Sequence, residues 1–67
     1  MRGTIRDVQT TFAFITDDFG GPDTFMHKST VSYEAWKDLA PGDRVSFDVV
    51  DSVRNPGKQC AANVIVL

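Results

Sequence analysis

The sequence has a single cysteine, no long apolar run and no excess of positive charge. Cys60 has no partner for an internal disulfide, so packing must stabilise the fold, and we expect a cytoplasmic location. No apolar run exceeds four residues, as in Val64–Leu67, and such a run is far too short to span a membrane. The N-terminus lacks a signal-peptide core because Asp7 interrupts it.

The charge balance also limits the function. Seven Lys and Arg residues against nine Asp and Glu residues give a formal net charge of −2. Proteins that bind nucleic acid through phosphate contacts are usually basic, whereas base-stacking side chains can act on an acidic domain. The chain length predicts one domain, residues 1–67, with a core too small to hold a deep substrate pocket.

Short apolar runs broken by Gly, Pro, Asn and Asp indicate an all-β domain. The predicted strands are Thr4–Val8, Phe12–Asp17, Thr24–His27, Arg44–Val50 and Gln59–Val66. Ser32–Leu39 is predicted to form a helical turn or two. Five strands of this length favour a partly open barrel of the oligonucleotide-binding (OB) kind.

Alternation along the strands separates an inner face from an outer one. The predicted aliphatic core consists of Ile5, Ile15, Met26, Val31, Val45, Val49, Val64 and Val66. Phe47 is assigned to the core because its neighbours Val45 and Val49 share its face. Four ring side chains on adjacent strands then remain for the outer face, and we call them the aromatic platform: Phe12, Phe14, Phe25 and His27.

The aromatic platform has the chemistry of a surface for nucleobases. Neighbouring strands lie roughly 5 Å apart, so these rings form one continuous area. Each base stacked on an aromatic side chain contributes about 1–3 kcal/mol, whatever the base. The alternative, that Phe12, Phe14 and Phe25 fill the core, is disfavoured because Ala13, Ile15 and Met26 already supply the inward face.

Two segments of the chain resemble the ribonucleoprotein motifs of cold-shock domains. Phe12–Thr16 is similar to the first motif, usually Lys-Gly-Phe-Gly-Phe-Ile, and Asp23–Ser29 to the second, usually Asp-Val-Phe-Val-His. The resemblance continues through Leu39–Phe47 and Ala61–Val64. It implies a five-stranded antiparallel OB barrel of the cold-shock type, which binds single-stranded RNA or DNA as an RNA chaperone or regulator.

The first strand departs from the family pattern Gly-x-Val-Lys-Trp-Phe-Asn. Asp7 stands in place of the family's stacking tryptophan, and Val8 in place of the neighbouring ring. The turn that follows is shorter than usual, with Thr10 and Thr11 in place of the Lys-Gly pair. One edge of the aromatic platform therefore lacks rings and positive charge, so we expect weaker binding, a shorter footprint or a different ligand.

Several residues outside the platform are candidate contacts. Trp36 lies where the family has a further aromatic residue, and it is either a stacking residue or a local hydrophobic staple; Tyr33 leaves the same choice open. Lys28 is interpreted as a phosphate contact. Four other cations are either phosphate contacts or solvated surface charges: Arg6, Lys37, Arg54 and Lys58. Phe19 is expected to cover the rim of the barrel.

No set of residues predicts catalysis, a metal site or a cofactor. One histidine and one cysteine without ligand spacing argue against a metal, and Asp17 and Asp18 face opposite ways on a strand. Cys60 is interpreted as a small strand residue. We expect a monomeric binding module; the alternative is that the same fold serves as a protein-interaction module with weak or lost nucleic-acid binding.

Overall fold

The computed structural model describes residues 1–52 and 59–67, and these form a closed barrel of five strands. The strands are β1 (Arg2–Val8), β2 (Phe12–Asp17), β3 (Thr24–His27), β4 (Arg44–Asp51) and β5 (Gln59–Val66). A single 3₁₀ turn (Lys28–Thr30) and a short helix α1 (Tyr33–Asp38) connect β3 to β4. Among the described residues, no helix has the length and apolar character needed to cross a membrane.

The strands follow the order β1-β2-β3-β5-β4 around the barrel. Within the described ranges, four pairings are antiparallel, and β3 pairs with β5 in parallel at Phe25 and Cys60. A ring of five strands cannot alternate in direction at every pairing, so closure requires a parallel pair. The predicted all-β OB barrel is confirmed, with two corrections: the barrel is closed, and one of its pairings is parallel.

The predicted strand positions agree closely with the structure. β2, β3 and β5 have the predicted bounds, whereas β1 begins at Arg2 and β4 runs on to Asp51. The early start of β1 is fixed by the backbone of Met1, whose amino group donates to the Phe47 carbonyl at 2.8 Å. The predicted helical turn is α1, which begins after Ser32, whose hydroxyl oxygen accepts from the Ala35 N–H.

The core lies inside the barrel, with Ala13, Ile15, Met26 and Val45 fully buried. The buried apolar residues are Ile5, Ala13, Ile15, Met26, Leu39, Val45, Phe47, Ala61 and Val64. Val31 and Val49 are partly buried against them.

One predicted core residue is wrong: Val66 is 39% exposed. It pairs with Val45 on β4, but the described pairing between β3 and β5 is confined to Phe25 and Cys60. No strand in the described part of the chain therefore covers Val66 from its other side.

Gly3 allows β1 to pack closely on β2. A Cβ atom at this position would lie 2.5 Å from the Thr16 carbonyl oxygen and 2.7 Å from Cγ2 of Ile15. Both distances are shorter than any real contact, so only glycine fits here. This close approach fixes the position of β2, the strand that carries Phe12 and Phe14.

Candidate nucleic-acid interface

The structure places Phe12, Phe14, Phe25 and His27 side by side on the outer face of β2 and β3. In the antiparallel register, Phe12 pairs with His27 and Phe14 pairs with Phe25. Paired residues of an antiparallel ladder share a face of the sheet. All four side chains are half-buried, whereas the alternating residues between them, Ala13 and Met26, are fully buried inside the barrel.

The three phenylalanine rings of the aromatic platform contact one another. Phe12 stacks on Phe25 at 5.5 Å between ring centroids with an interplanar angle of 27°. Phe14 meets Phe12 and Phe25 edge to face, at 5.6 Å and 6.1 Å. Such pairs stabilise each other by about 0.5–1.5 kcal/mol beyond their buried area. The rings are therefore ordered before a ligand arrives, which lowers the entropy lost on binding.

The hydrogen bonds of His27 determine which nitrogen of its neutral ring carries the proton. The backbone N–H of Ser29 donates to Nδ1 of His27 at 3.1 Å, and the Ser29 hydroxyl lies 2.8 Å from the same nitrogen. Because Nδ1 accepts from an N–H, the neutral ring carries its proton on Nε2. His27 thus offers an N–H donor together with its ring face.

Arg6 lies at a β-bulge beside the platform. The register between β1 and β2 shifts between Ile5 and Asp7, so Arg6 and Asp7 together oppose the single residue Phe14. The guanidinium carbon of Arg6 lies 5.4 Å from the centroid of the Phe14 ring. Nε of Arg6 pairs with the Asp23 carboxylate, which also accepts from the Thr16 hydroxyl at 3.2 Å. The charge of Arg6 is therefore already neutralised within the protein.

A shallow groove of about 230 Å³ lies beside the 3₁₀ turn that follows β3. It is lined by Lys28, Ser29, Val31, Tyr33 and Trp36. Trp36 is partly buried against the core, whereas Tyr33 is 79% exposed. Lys28 is exposed and has no ion-pair partner among residues 1–52 and 59–67.

Comparison with known proteins identifies the family of this chain. The family model of the "Cold-shock" DNA-binding domain matches residues 1–67. The chain is 39% identical over 69 residues to cold shock protein CspV of Vibrio cholerae, covering 100% of this chain and 94% of that protein. It is 41% identical to cold shock-like protein CspE of Escherichia coli, covering 84% of this chain and 77% of that protein. The chain belongs to the cold-shock domain family.

A third relative matches at similar coverage. Cold shock protein ScoF of Streptomyces coelicolor is 34% identical over 56 residues, covering 81% of this chain and 84% of that protein. The resemblance seen in the two motifs is thus confirmed.

This cold-shock domain carries a carboxylate where the family pattern has a tryptophan. Asp7 pairs in register with Phe14, which puts its side chain on the platform face of the barrel. Its Oδ2 accepts from the side-chain amide of Gln9 at 2.5 Å. Val8, the next residue, is partly buried against the core. The β1 edge of the platform therefore presents one acidic and one basic side chain and no ring.

Two features of the site were missed or misjudged from the sequence. Cys60 pairs with Phe25 across the parallel ladder, which places this half-buried residue on the platform side of β5. Strand alternation could have shown it, because Cys60 and the inward-facing Ala61 are neighbours on β5. Phe19 does not cover the rim of the barrel, because its side chain is 92% exposed. It lies in a turn in which its backbone N–H donates to Oδ1 of Asp17.

Two of the candidate cations, Arg54 and Lys58, lie outside the described residues, and Lys37 is exposed on α1. Within the described ranges, no group of three potential ligands could hold a metal ion.

A second ion pair lies away from the platform and connects β4 to the end of β2. Nη1 and Nη2 of Arg44 donate to the two oxygens of the Asp18 carboxylate, at 2.6 Å and 2.7 Å. Arg44 also donates to the Thr4 hydroxyl at 2.8 Å. The hydrogen bonds from Arg44 hold the pKa of Asp18 below its ordinary value of 3.8. This pair links the start of β4 to the segment after β2, and the charge of Arg44 is already paired within the protein.

Proposed function

We propose that this cold-shock domain binds single-stranded RNA or DNA by stacking bases on Phe12, Phe14, Phe25 and His27, with little preference for sequence. The observation that carries the proposal is the contact cluster of three half-exposed rings on two paired strands, with centroids 5.5–6.1 Å apart. Such a cluster offers several π-faces close together, and single-stranded bases are free to stack on them.

The role that follows is that of an RNA chaperone acting as a single, monomeric domain. A protein that holds bases by stacking prevents them from pairing with each other, and it does so without reading sequence. Binding of modest strength suits this role because the protein must also leave the RNA. A cytoplasmic location, expected from the single cysteine, stays a prediction.

The charges around the platform support stacking rather than phosphate contacts as the main source of affinity. Arg6 and Arg44 are each paired with an aspartate, whereas Lys28 is unpaired within the described part of the chain. Each phosphate neutralised on a single strand contributes a slope of about −0.7 in log Kobs against log salt. We assign Lys28 to a phosphate and Trp36 to a further base, whereas Lys58 stays a candidate phosphate contact outside the described residues.

A second candidate function is supported by the acidic side of the platform. Asp7 faces outward beside Phe14, and the chain carries a net charge of −2. A carboxylate repels phosphate, so the aromatic face could instead contact a partner protein. This candidate predicts that no oligonucleotide binds at low salt.

Fluorescence titration distinguishes the two functions. Trp36 is the only tryptophan, and it lies beside Lys28 in the groove, so a pyrimidine-rich single strand is expected to quench its emission. A duplex of the same sequence is the control and is expected to bind at least about tenfold more weakly, because its bases are already stacked. Absence of binding to the single strand at low salt would contradict the proposal and favour the protein-interaction function.

A matched pair of variants locates the binding face. Phe14→Ala removes a platform ring and is expected to weaken binding by about fivefold to a hundredfold. Phe19→Ala removes a ring that is 92% exposed in a turn away from the platform, and we expect it to leave affinity unchanged. Equal effects of both substitutions would show that the platform is not the binding face.

A further inference from the structure

Arg6 is held beside the aromatic platform by contacts within the protein, whereas a phosphate contact requires only an accessible positive charge. Its guanidinium lies against the Phe14 ring, 5.4 Å from the centroid, and is paired with Asp23. Asp23 is in turn held by the Thr16 hydroxyl. These contacts hold the guanidinium beside the Phe14 ring and pair its charge with a carboxylate. About half of the Arg6 side chain, 53%, remains exposed, and so it can still contact a ligand.

We propose that Arg6 acts as a base-stacking element of the platform, with Asp23 as the residue that positions it. The guanidinium is planar and delocalised, and bases stack on such planes as they do on aromatic rings. The β-bulge places Arg6 and Asp7 together opposite Phe14. Arg6 thus supplies a flat surface at the edge where Asp7 provides no ring.

The assignment of Arg6 rests on the proposed function and makes it more specific. A phosphate contact contributes through charge and changes the salt dependence of binding, whereas a stacking surface contributes at every salt concentration. If Arg6 instead covered the Phe14 ring and blocked it from the bases, Arg6 would weaken binding. The sign of the affinity change and the slope against salt therefore separate the three roles.

The decisive variant is Arg6→Gln combined with Asp23→Asn, because it removes the guanidinium and keeps the net charge unchanged. We expect affinity for a pyrimidine-rich single strand to fall about threefold to tenfold, with the salt slope equal to that of the wild type. Arg6→Lys keeps the charge and the partner but lacks the plane, and we expect the same loss. Circular dichroism and thermal unfolding confirm that each variant is folded.

Asp23→Asn alone tests the positioning role. It removes the carboxylate that holds Arg6 beside Phe14, so the guanidinium is free to neutralise a phosphate, and we expect the salt slope to steepen by about 0.7. A purely structural role of Asp23 would lower thermal stability and leave the slope unchanged. Lys28→Gln is the control for the slope measurement, and it should make the slope shallower by about 0.7.

Three results would overturn the assignment of Arg6 while leaving the proposed function intact. The double variant could bind as tightly as the wild type, which means that Arg6 makes no contact. It could bind with a slope shallower by about 0.7, which identifies a phosphate contact. It could bind more tightly, which identifies a cover over Phe14. If the wild type itself binds no single strand, both the function and the assignment are wrong.

Discussion

Phe47 and Phe14 are the same residue type on strands of the same barrel, yet they have opposite environments. Phe47 on β4 is 1% exposed and belongs to the core. Phe14 on β2 is half-buried, and its partners are other platform rings and the Arg6 guanidinium. The difference comes from which face of the strand each residue occupies. The inner ring packs in the core, and the outer ring lies on the surface, where the proposed function requires it.

The largest expected effect is the loss of the inner ring. Phe47→Ala removes a fully buried side chain and should cost about 3–5 kcal/mol of the free energy of unfolding. A domain of this size has only about 3–10 kcal/mol of stability in total, so the variant should lose a large share of it and unfold at a much lower urea concentration. Urea unfolding followed by circular dichroism measures this. A cooperative transition near the wild-type midpoint would show that Phe47 is not a core residue.

A smaller effect, on the salt dependence of binding, is expected at Lys28, which follows the platform strand β3. Lys28→Ala removes one unpaired charge and should weaken binding at low salt, with a salt slope shallower by about 0.7. Its thermal stability should match that of the wild type because Lys28 is exposed. The matched control is Lys37→Ala, which removes an exposed lysine of α1 that does not line the groove. An equal change of slope in both variants would mean that only overall charge matters.

The smallest expected effect concerns Asp18 and Arg44, away from both sets of rings. The pKa of Asp18 is lowered by the hydrogen bonds from Arg44, so the ionised carboxylate favours the folded state. That stability is present above the carboxyl's ordinary pKa near 3.8 and is lost as the pH falls through the lowered value. Asp18→Asn should therefore be slightly less stable at pH 7 and should lose less stability on acidification. Thermal unfolding across this pH range measures the difference, and identical pH profiles would contradict the account.

Strand alternation was enough to predict the outer rings from the sequence. Residues from Phe12 to Ile15 pair regularly with β3, so each side chain lies on the face that its parity predicts. The two family motifs fall on these regular strands, which explains why the platform residues could be named in advance. Their role in binding stays a prediction.

The β-bulges could not be predicted, because they break the alternation. Ala61 and Val64 are three positions apart, yet both are buried. Between them Asn63 adopts a positive φ of 52°, and the register of β4 with β5 shifts between Ser46 and Asp48. The bulge at Arg6 likewise places two consecutive residues on one face. The pairing of Arg6 with Asp23 depends on that bulge and leaves no signal in the sequence.

The central claim is that the outer rings serve binding and the inner ring serves folding. The most direct test measures the affinity for single-stranded nucleic acid and the free energy of unfolding of two variants. One is the double variant Phe12→Ala with Phe25→Ala, and the other is Phe47→Leu. We expect the outer double variant to remain folded and to lose at least about thirtyfold in affinity for a pyrimidine-rich single strand. We expect Phe47→Leu to lose about 1–2 kcal/mol of stability and, while folded, to bind like the wild type. Unfolding of the outer variant, or full affinity in it, would contradict the claim.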